Sequence, residues 1–485
     1  MTHQPNESTP LFTLPSRTYR DRRVLSTVSV SVLLGLVSGT LYGFGRYSRA
    51  LKDILGLSQL QIQRFGILLD TGNYVGHPVT GYVYDHFGPR VSCLSAALIV
   101  FLSYGAIHLS VDGHSERSSD ESLVVFDVGF FMVGFGSGLG YIAALGSATR
   151  TFQSTPHLGR AIGLVAAGYG LCSTIVGITY HVVGLEFFFL LWAILVAVVN
   201  VLGAYVLPSP QEEAEANGEN TDKQTENDGG SVAMTTLDLE ENKNTISLGR
   251  RLVRMASRRT IDVRPLLDSL STWRTWTKLD FWLLFASFAC TTGCGLFVIN
   301  NISTMVQSIG GEDSFSGILV FLLSICNCVG RIIMGMLADQ PRLSKVALFR
   351  GVSLLMAVAL FVSAAARTET ALVSLIVTVA IAAMAYGASW VLIVGVLAEW
   401  FGNVDFGKDY GLMAMGPALS GMIFNAASAW IYQQHAYTAA PGVDEGGADL
   451  NAGICLGLVC YRGAYLLTGT AAVVGCLLLS FVSVQ

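Results

Sequence analysis

Charge is what this chain has least of. Its 29 basic and 34 acidic residues make up 13% of 485 positions, about half of the roughly 25% usual in soluble proteins. With 52% apolar residues and a mean hydropathy of +0.55, it cannot close all its apolar surface inside water-soluble cores. The net charge of −5 leaves no basic surface for nucleic acid. Signatures of chemistry are missing too. There is no P-loop, no nucleophile elbow and no metal-spaced His/Cys cluster, which removes the sequence basis for an ATP-driven pump, an enzyme, a metal centre or a cofactor. Of nine cysteines, Cys93, Cys172, Cys290, Cys294, Cys326, Cys328 and Cys476 lie inside apolar runs, where they pack as small hydrophobes rather than forming a secreted disulfide framework.

What the chain has in plenty is glycine and long apolar runs. Its 52 glycines follow no Gly-X-Y period and suit close helix packing in lipid. Runs long enough to cross about 30 Å of hydrocarbon lie near 24–45, 65–84, 91–110, 123–148, 160–182 and 184–207, and again near 279–306, 315–338, 346–366, 370–398, 407–432 and 461–483. The first follows Arg17, Arg20, Arg22 and Arg23 as a signal peptide would. It is too long for a signal h-region and no small-residue cleavage site follows, so it is expected to stay as an anchor. The expected architecture is an all-α membrane protein of twelve helices: a tail (1–23), a six-helix bundle (24–207), a linker (208–278) and a second six-helix bundle (279–485).

Positive charge orients the chain. With both termini in the cytosol, that side collects 21 Lys and Arg and the opposite side 7, while Arg331 lies within a run. Arg46, Arg49, Lys52 and Arg64 depart from this pattern by clustering in the first outer loop. The linker is acidic over 208–245 and basic over 246–278. Arg250, Arg251, Arg254 and Arg258 at helical spacing beside leucines read either as a helix on anionic headgroups or as an ordinary positive inner loop. The segments 7–12 and 262–267 are similar to acidic dileucine sorting signals, which leaves a vacuolar or lysosomal membrane and the plasma membrane both open.

A duplication sets the symmetry. At an offset of 254 the stretch 72–85 overlays 326–339, matching Asn73 with Asn327, Val75 with Val329, Gly76 with Gly330, Gly81 with Gly335 and Asp85 with Asp339. At 248, residues 159–171 overlay 407–419, matching Gly159, Gly163, Leu164, Ala166, Gly168 and Leu171 with their counterparts. Such halves are parallel repeats about an axis along the membrane normal.

Several side chains stand out. Asp70, Asn73, His77, Gly81 and Tyr84 fall on one face of a helix. Asp70 and His77 are proton-coupling candidates, because ionisable groups in an apolar run face protein or a water-filled path. The alternative pairs Asp70 with Arg64 and makes His77 a packing residue. Arg331, at the repeat position of His77, could bind a carboxylate bidentately, but the favoured reading pairs it with Asp339 or Glu399. Asn73, Asn327 and Arg331 form the polar stripe. Asp85 and Asp339 can each meet a basic residue or the positive end of a neighbouring helix and so hold an inner gate. Gly134, Gly136, Gly138 and Gly140 read as helix packing. Cys455 and Cys460, between the last two runs on the non-cytosolic side, are expected to form a disulfide or remain free thiols.

The segment 81–90, `GYVYDHFGPR`, resembles the signature that follows the second helix of the major facilitator superfamily, with Gly81, Asp85, Gly88 and Arg90 in place and His86 and Pro89 departing from it. The second copy keeps Gly335, Asp339 and Arg342. The blocks `YGFGRYSRALKDILGLSQLQ`, `GRAIGLVAAGYGLCSTIVGITYH`, `DFWLLFASFACTTGCGLFVINN` and `FGKDYGLMAMGPALSGMIF` are similar to the nodulin-like branch, which includes fungal monocarboxylate-transporter homologues. The resemblance implies a central cavity lined by the first, fourth, seventh and tenth helices, and so by Tyr42, Arg46, Tyr141, Asn300, Asn301, Tyr386 and Trp390. It implies a monomeric secondary transporter in lipid that moves a small organic solute, such as a monocarboxylate, by alternating access with or without a proton. A metal or haem-type cargo carrier and a non-transporting sensor are the rival readings.

Overall fold

A computed structural model describes residues 18–57, 59–112, 119–208, 275–402, 405–438 and 455–482. The chain divides into two compact units, Met1–Pro208 with Leu279–Gln485, and Ser209–Lys278. The basic stretch and the two sorting-like segments lie outside the described residues.

Among the described residues the first unit is helical throughout and has no strand. Its helices are α1 (Thr18–Ser38), α2 (Phe44–Leu55), α3 (Gln59–Tyr74), α4 (His77–Asp112), α5 (Ser119–Phe152) and α6 (Leu158–Val206). Then come α7 (Leu279–Ser308), α8 (Asp313–Ala338), α9 (Lys345–Ala364), α10 (Ala371–Trp400), α11 (Phe406–Thr438) and α12 (Val459–Leu478). In an apolar solvent every main-chain polar group must be satisfied within the chain, which selects helices for these runs.

Glycine sets where the helices break. Among the described residues nine helices are long and apolar enough to cross a membrane, or ten when the bent pair α1 and α2 counts as one span. Two of them, Gln61–Val111 and Leu158–Val206, are 51 and 49 residues long, about 75 Å each at 1.5 Å per residue. Each is broken by a glycine in the left-handed region, Gly88 at φ +77° and Gly184 at φ +69°, a conformation that costs other residues 1–2 kcal/mol or so. Pro89 follows Gly88 and starts the next segment, where its fixed φ suits a first helical turn. Taken as two spans each, these broken helices are compatible with the twelve expected from the sequence.

Two runs are less regular than the sequence predicts. The first bends by 42° between Ser38 and Thr40 and passes through a 3-10 turn, Thr40–Gly43. Gly39 lies against α6, where a methyl group would meet the Tyr169 carbonyl at 2.3 Å. The second run is interrupted at Val75 and Gly76, so α3 ends before His77 begins α4. Asp70 and His77 therefore lie on either side of an irregular turn within one span, where the Val75 and Gly76 N–H groups both reach back to the Thr71 carbonyl. Leucines, valines and isoleucines such as Leu98, Leu109 and Val182 stand exposed on the outside of the bundle, the surface a lipid solvent covers.

Candidate functional site

Two reciprocal caps join the halves at one end of the bundle. Asp85, near the break in α4, accepts hydrogen bonds from the backbone N–H groups of Gly407 at 2.9 Å and Lys408 at 2.8 Å, the first turn of α11. Asp339, just after α8, accepts from Gly159 at 2.5 Å and Arg160 at 3.0 Å, the first turn of α6. Four N–H groups at a helix start lack intrahelical partners and carry partial positive charge, so a carboxylate satisfies both needs. Each half thus caps a helix of the other half. Basic residues add to both sites: Arg150 lies 3.8 Å from Asp85 and Arg160 3.5 Å from Asp339. Burial raises the Asp339 carboxyl above its ordinary value, although the Gly159 and Arg160 donors pull it down.

The repeated glycines make the caps reachable. A methyl group on Gly81 would sit 2.0 Å from the Gly407 carbonyl, and one on Gly335 2.5 Å from the Gly159 carbonyl. Only hydrogen at these Cα atoms lets the backbones cross so closely. Of the other residues in the motif, Gly88 is the break itself, while Arg90 and Arg342 are exposed.

The centre of the bundle holds a cation among tyrosines. Arg331 of α8 is 1% exposed. Its Nε donates to Asn327 Oδ1 at 3.0 Å and its Nη1 to the Ala166 carbonyl at 2.7 Å. Among the described residues no carboxylate pairs with it. The expected partners are engaged elsewhere, Asp339 on the α6 cap and Glu399 with Lys345 at 2.8 Å, so the ion-pair reading of Arg331 is corrected. Asn327 instead orients the guanidinium from one turn away, and the Tyr169 ring lies 5.9 Å from it.

Around Arg331 the two halves contribute hydroxyls and rings. Tyr42, carried inward by the 3-10 turn, bonds Tyr386 of α10 at 2.7 Å and Tyr74 of α3 at 3.3 Å. Tyr141 packs 4.4 Å from Tyr169. Trp390 touches Phe288, Tyr74, Tyr386 and Tyr410, and its indole N–H is buried without a partner. A cavity of about 40 Å³ lies beside this group, lined by Tyr42, Gly170, Ser173, Ser324 and Asn327 among others. Ser173 and Ser324 share a 2.7 Å hydrogen bond across it.

The remaining residues separate into those at the centre and those away from it. His77 is buried and donates through Nδ1 to the Asn73 carbonyl, with Tyr74 and Tyr410 on either side. The Asn73 side-chain oxygen is buried and unpartnered. Asp70 is half-buried, and its alternative partner Arg64 pairs bidentately with Asp127 instead. Asn301 donates to Asn425 of α11 at 2.7 Å, whereas its neighbour Asn300 is exposed. The two amides therefore do not act as a pair. Arg46 packs over Gly177 of α6. Gly134 meets the Leu69 carbonyl and Gly138 the His77 and Asn73 side chains, a packing role for that string. Cys455 and Cys460 are joined by a disulfide, with Cα atoms 5.8 Å apart. Among the described residues no group of three His, Cys, Asp or Glu stands close enough to hold a metal ion.

Sequence reasoning missed Tyr74, Tyr169 and Tyr410. Tyrosine in an apolar run carries a hydroxyl that needs a partner, which was the available signal.

Comparison with known proteins agrees with this arrangement. The pattern of the Major Facilitator Superfamily matches residues 23–369, and that of the NFD4 C-terminal domain, which is nodulin-like, matches 268–484. The "Probable transporter mch1" of Emericella nidulans is 21% identical over 89% of this chain and 81% of its own. The "Oxalate:formate antiporter" of Oxalobacter formigenes is 22% identical over 78% of each. Among solved structures, the proton:xylose symporter XylE superposes with a TM-score of 0.67 at 15% identity, covering 96% of this chain and 97% of that one. Two halves that cap each other's helices around a buried polar centre, in a chain whose sequence matches the family over most of its length, make this multi-pass membrane protein a member of the major facilitator superfamily.

Proposed function

We propose that the protein is a secondary transporter of a small organic anion, working by alternating access, and that Arg331 receives the solute's carboxylate. The observation that carries this reading is a guanidinium buried within the apolar helix α8 with no carboxylate partner among the described residues. A charge in that position is costly unless something balances it. Asn327, the Ala166 carbonyl and Tyr141 engage part of its five N–H donors, and the rest can meet an incoming acceptor. The hydroxyls of Tyr42, Tyr141, Tyr386 and Tyr410 lie close enough to interact with it electrostatically, and they come from both halves, so rocking of the halves would rearrange the shell around a bound anion.

The bundles 24–207 and 279–485 would be the moving bodies, with both termini cytosolic, the protein a monomer in lipid and the Asp85 and Asp339 caps the inner gate. Asp70 and His77 would couple transport to protons: Asp70 faces Tyr74 one turn away, and Tyr74 continues through Tyr42 to Tyr386. Asp70→Asn and His77→Gln should then abolish accumulation on a pH gradient and retain exchange.

The test of the anion reading is uptake of labelled monocarboxylates into proteoliposomes. Arg331→Gln should abolish uptake, and Arg331→Lys, which keeps the charge and loses the fork, should reduce it. Full uptake by both would remove the reading. Flux of any solute excludes a non-transporting sensor, and metal binding that survives Arg331→Gln would favour a metal cargo.

A further inference from the structure

A second arginine faces the same strip of α6. Arg46 lies one turn after Tyr42, in the outward part of the bent first span. Its Nε is buried and has no hydrogen-bond partner, unlike an arginine that reaches out to keep its whole polar head in water. A methyl group added at Gly177 would lie 3.4 Å from that Nε, and one added at Gly170 would lie 3.4 Å from the Nε of Arg331. Gly170, Ser173 and Gly177 are spaced i, i+3, i+7 and share one helix face. The two guanidiniums therefore meet α6 seven residues apart, about 10 Å along its axis. Between them lie Ser173, Ser324 and Asn327, which line the cavity.

We infer that the site takes a dicarboxylate, with Arg331 holding one carboxylate and Arg46 the other; this rests on the proposed role of Arg331. Bidentate pairing at N···O distances of 2.7–2.9 Å places guanidinium and carboxylate carbons roughly 4 Å apart. A 10 Å spacing then leaves about 2 Å between the two carboxyl carbons, room for one carbon between the carboxyl groups, a three-carbon diacid. Charge points the same way. A dianion balances both guanidiniums in a medium of low dielectric, whereas a monoanion leaves one uncompensated. The hydroxyls and amide between the arginines would face the diacid's backbone. The Ser173–Ser324 bond closes this strip in the present state, so the diacid enters when α6 and α8 part there.

The experiment is binding to the purified full-length protein in nanodiscs, by calorimetry, with malonate, succinate and glutarate against acetate and propionate. Wild type should bind malonate at least about ten-fold more tightly than propionate, as a second charge-assisted pair implies, with succinate and glutarate weaker than malonate. Arg46→Gln should abolish the preference, so that the diacids bind no more tightly than propionate does to the same variant. Arg46→Lys should restore part of the preference. No diacid preference in wild type, or an unchanged preference in Arg46→Gln, overturns the dicarboxylate inference and leaves the Arg331 reading standing. Propionate binding that survives in both Arg331→Gln and Arg331→Lys overturns the Arg331 reading, and this inference with it.

Discussion

Removing one reciprocal cap should open one end of the bundle by a measurable amount. In Asp339→Ala the N–H groups of Gly159 and Arg160, now bonded at 2.5 and 3.0 Å, lose their acceptor. Hydrogen bonds to a charged group contribute about 1.5–3 kcal/mol each. Desolvation of the buried carboxylate, seen in the raised pKa of Asp339, offsets part of that gain. A net loss of about 2 kcal/mol is therefore the reasonable figure, and at 1.4 kcal/mol per factor of ten it shifts the closed-to-open ratio about 30-fold. Ala148→Cys supplies the reporter. Ala148 is fully buried and lies seven residues from Tyr141, on the same face of α5 and toward the capped end. Its rate of maleimide labelling should rise by about that 30-fold factor when Asp339→Ala is added, in membranes where expression is unchanged. Asp85→Ala should do the same, and the double variant should exceed either. A labelling rate in Asp339→Ala equal to that of the reporter alone would refute the cap as the element that holds this end closed.

Three further outcomes follow from the same contacts. Gly81→Ala should destabilise the protein by about 1–3 kcal/mol as an overpacked contact, read as a lower unfolding temperature, whereas Gly105→Ala, with open space around it, should not. Burial raises the Asp339 carboxyl in the closed form, so a proton binds more readily there, and the neutral carboxyl still offers an acceptor to Gly159 and Arg160; labelling of the reporter should slow as pH falls through that raised pKa, and Asp339→Asn should flatten the profile. Cys455→Ser should cost about 2 kcal/mol by the loop-entropy relation for so short a loop, measured by denaturation of oxidised protein, and reductant should have no further effect on the variant.

Membrane residence, helical class and internal repeat were legible in the sequence because they are matters of composition and spacing. Low charge and runs of about twenty apolar residues leave helices as the open-chain solution in lipid, and the offsets of 254 and 248 carry the symmetry. The pairing of Asp85 and Asp339 with helix starts was readable as one of two options, since an acid at a helix end meets either a basic side chain or a helix N-terminus. Which one holds depended on α4 crossing α11 at Gly81 and Gly407, a contact between residues more than three hundred positions apart. Arg331 shows the limit most clearly. Its presence in an apolar run was visible, but the acids nearest in expectation, Asp339 and Glu399, turned out to be committed to α6 and to Lys345. The bend at Gly39 that carries Tyr42 inward has no local sequence signal, and although Tyr74, Tyr141, Tyr169, Tyr386 and Tyr410 each carry a hydroxyl that needs a partner, nothing local says that these five helices bring them together. Helical periodicity fixes which residues share a face; which faces meet is decided by packing between distant helices, and the polar centre of this protein exists only where those faces converge.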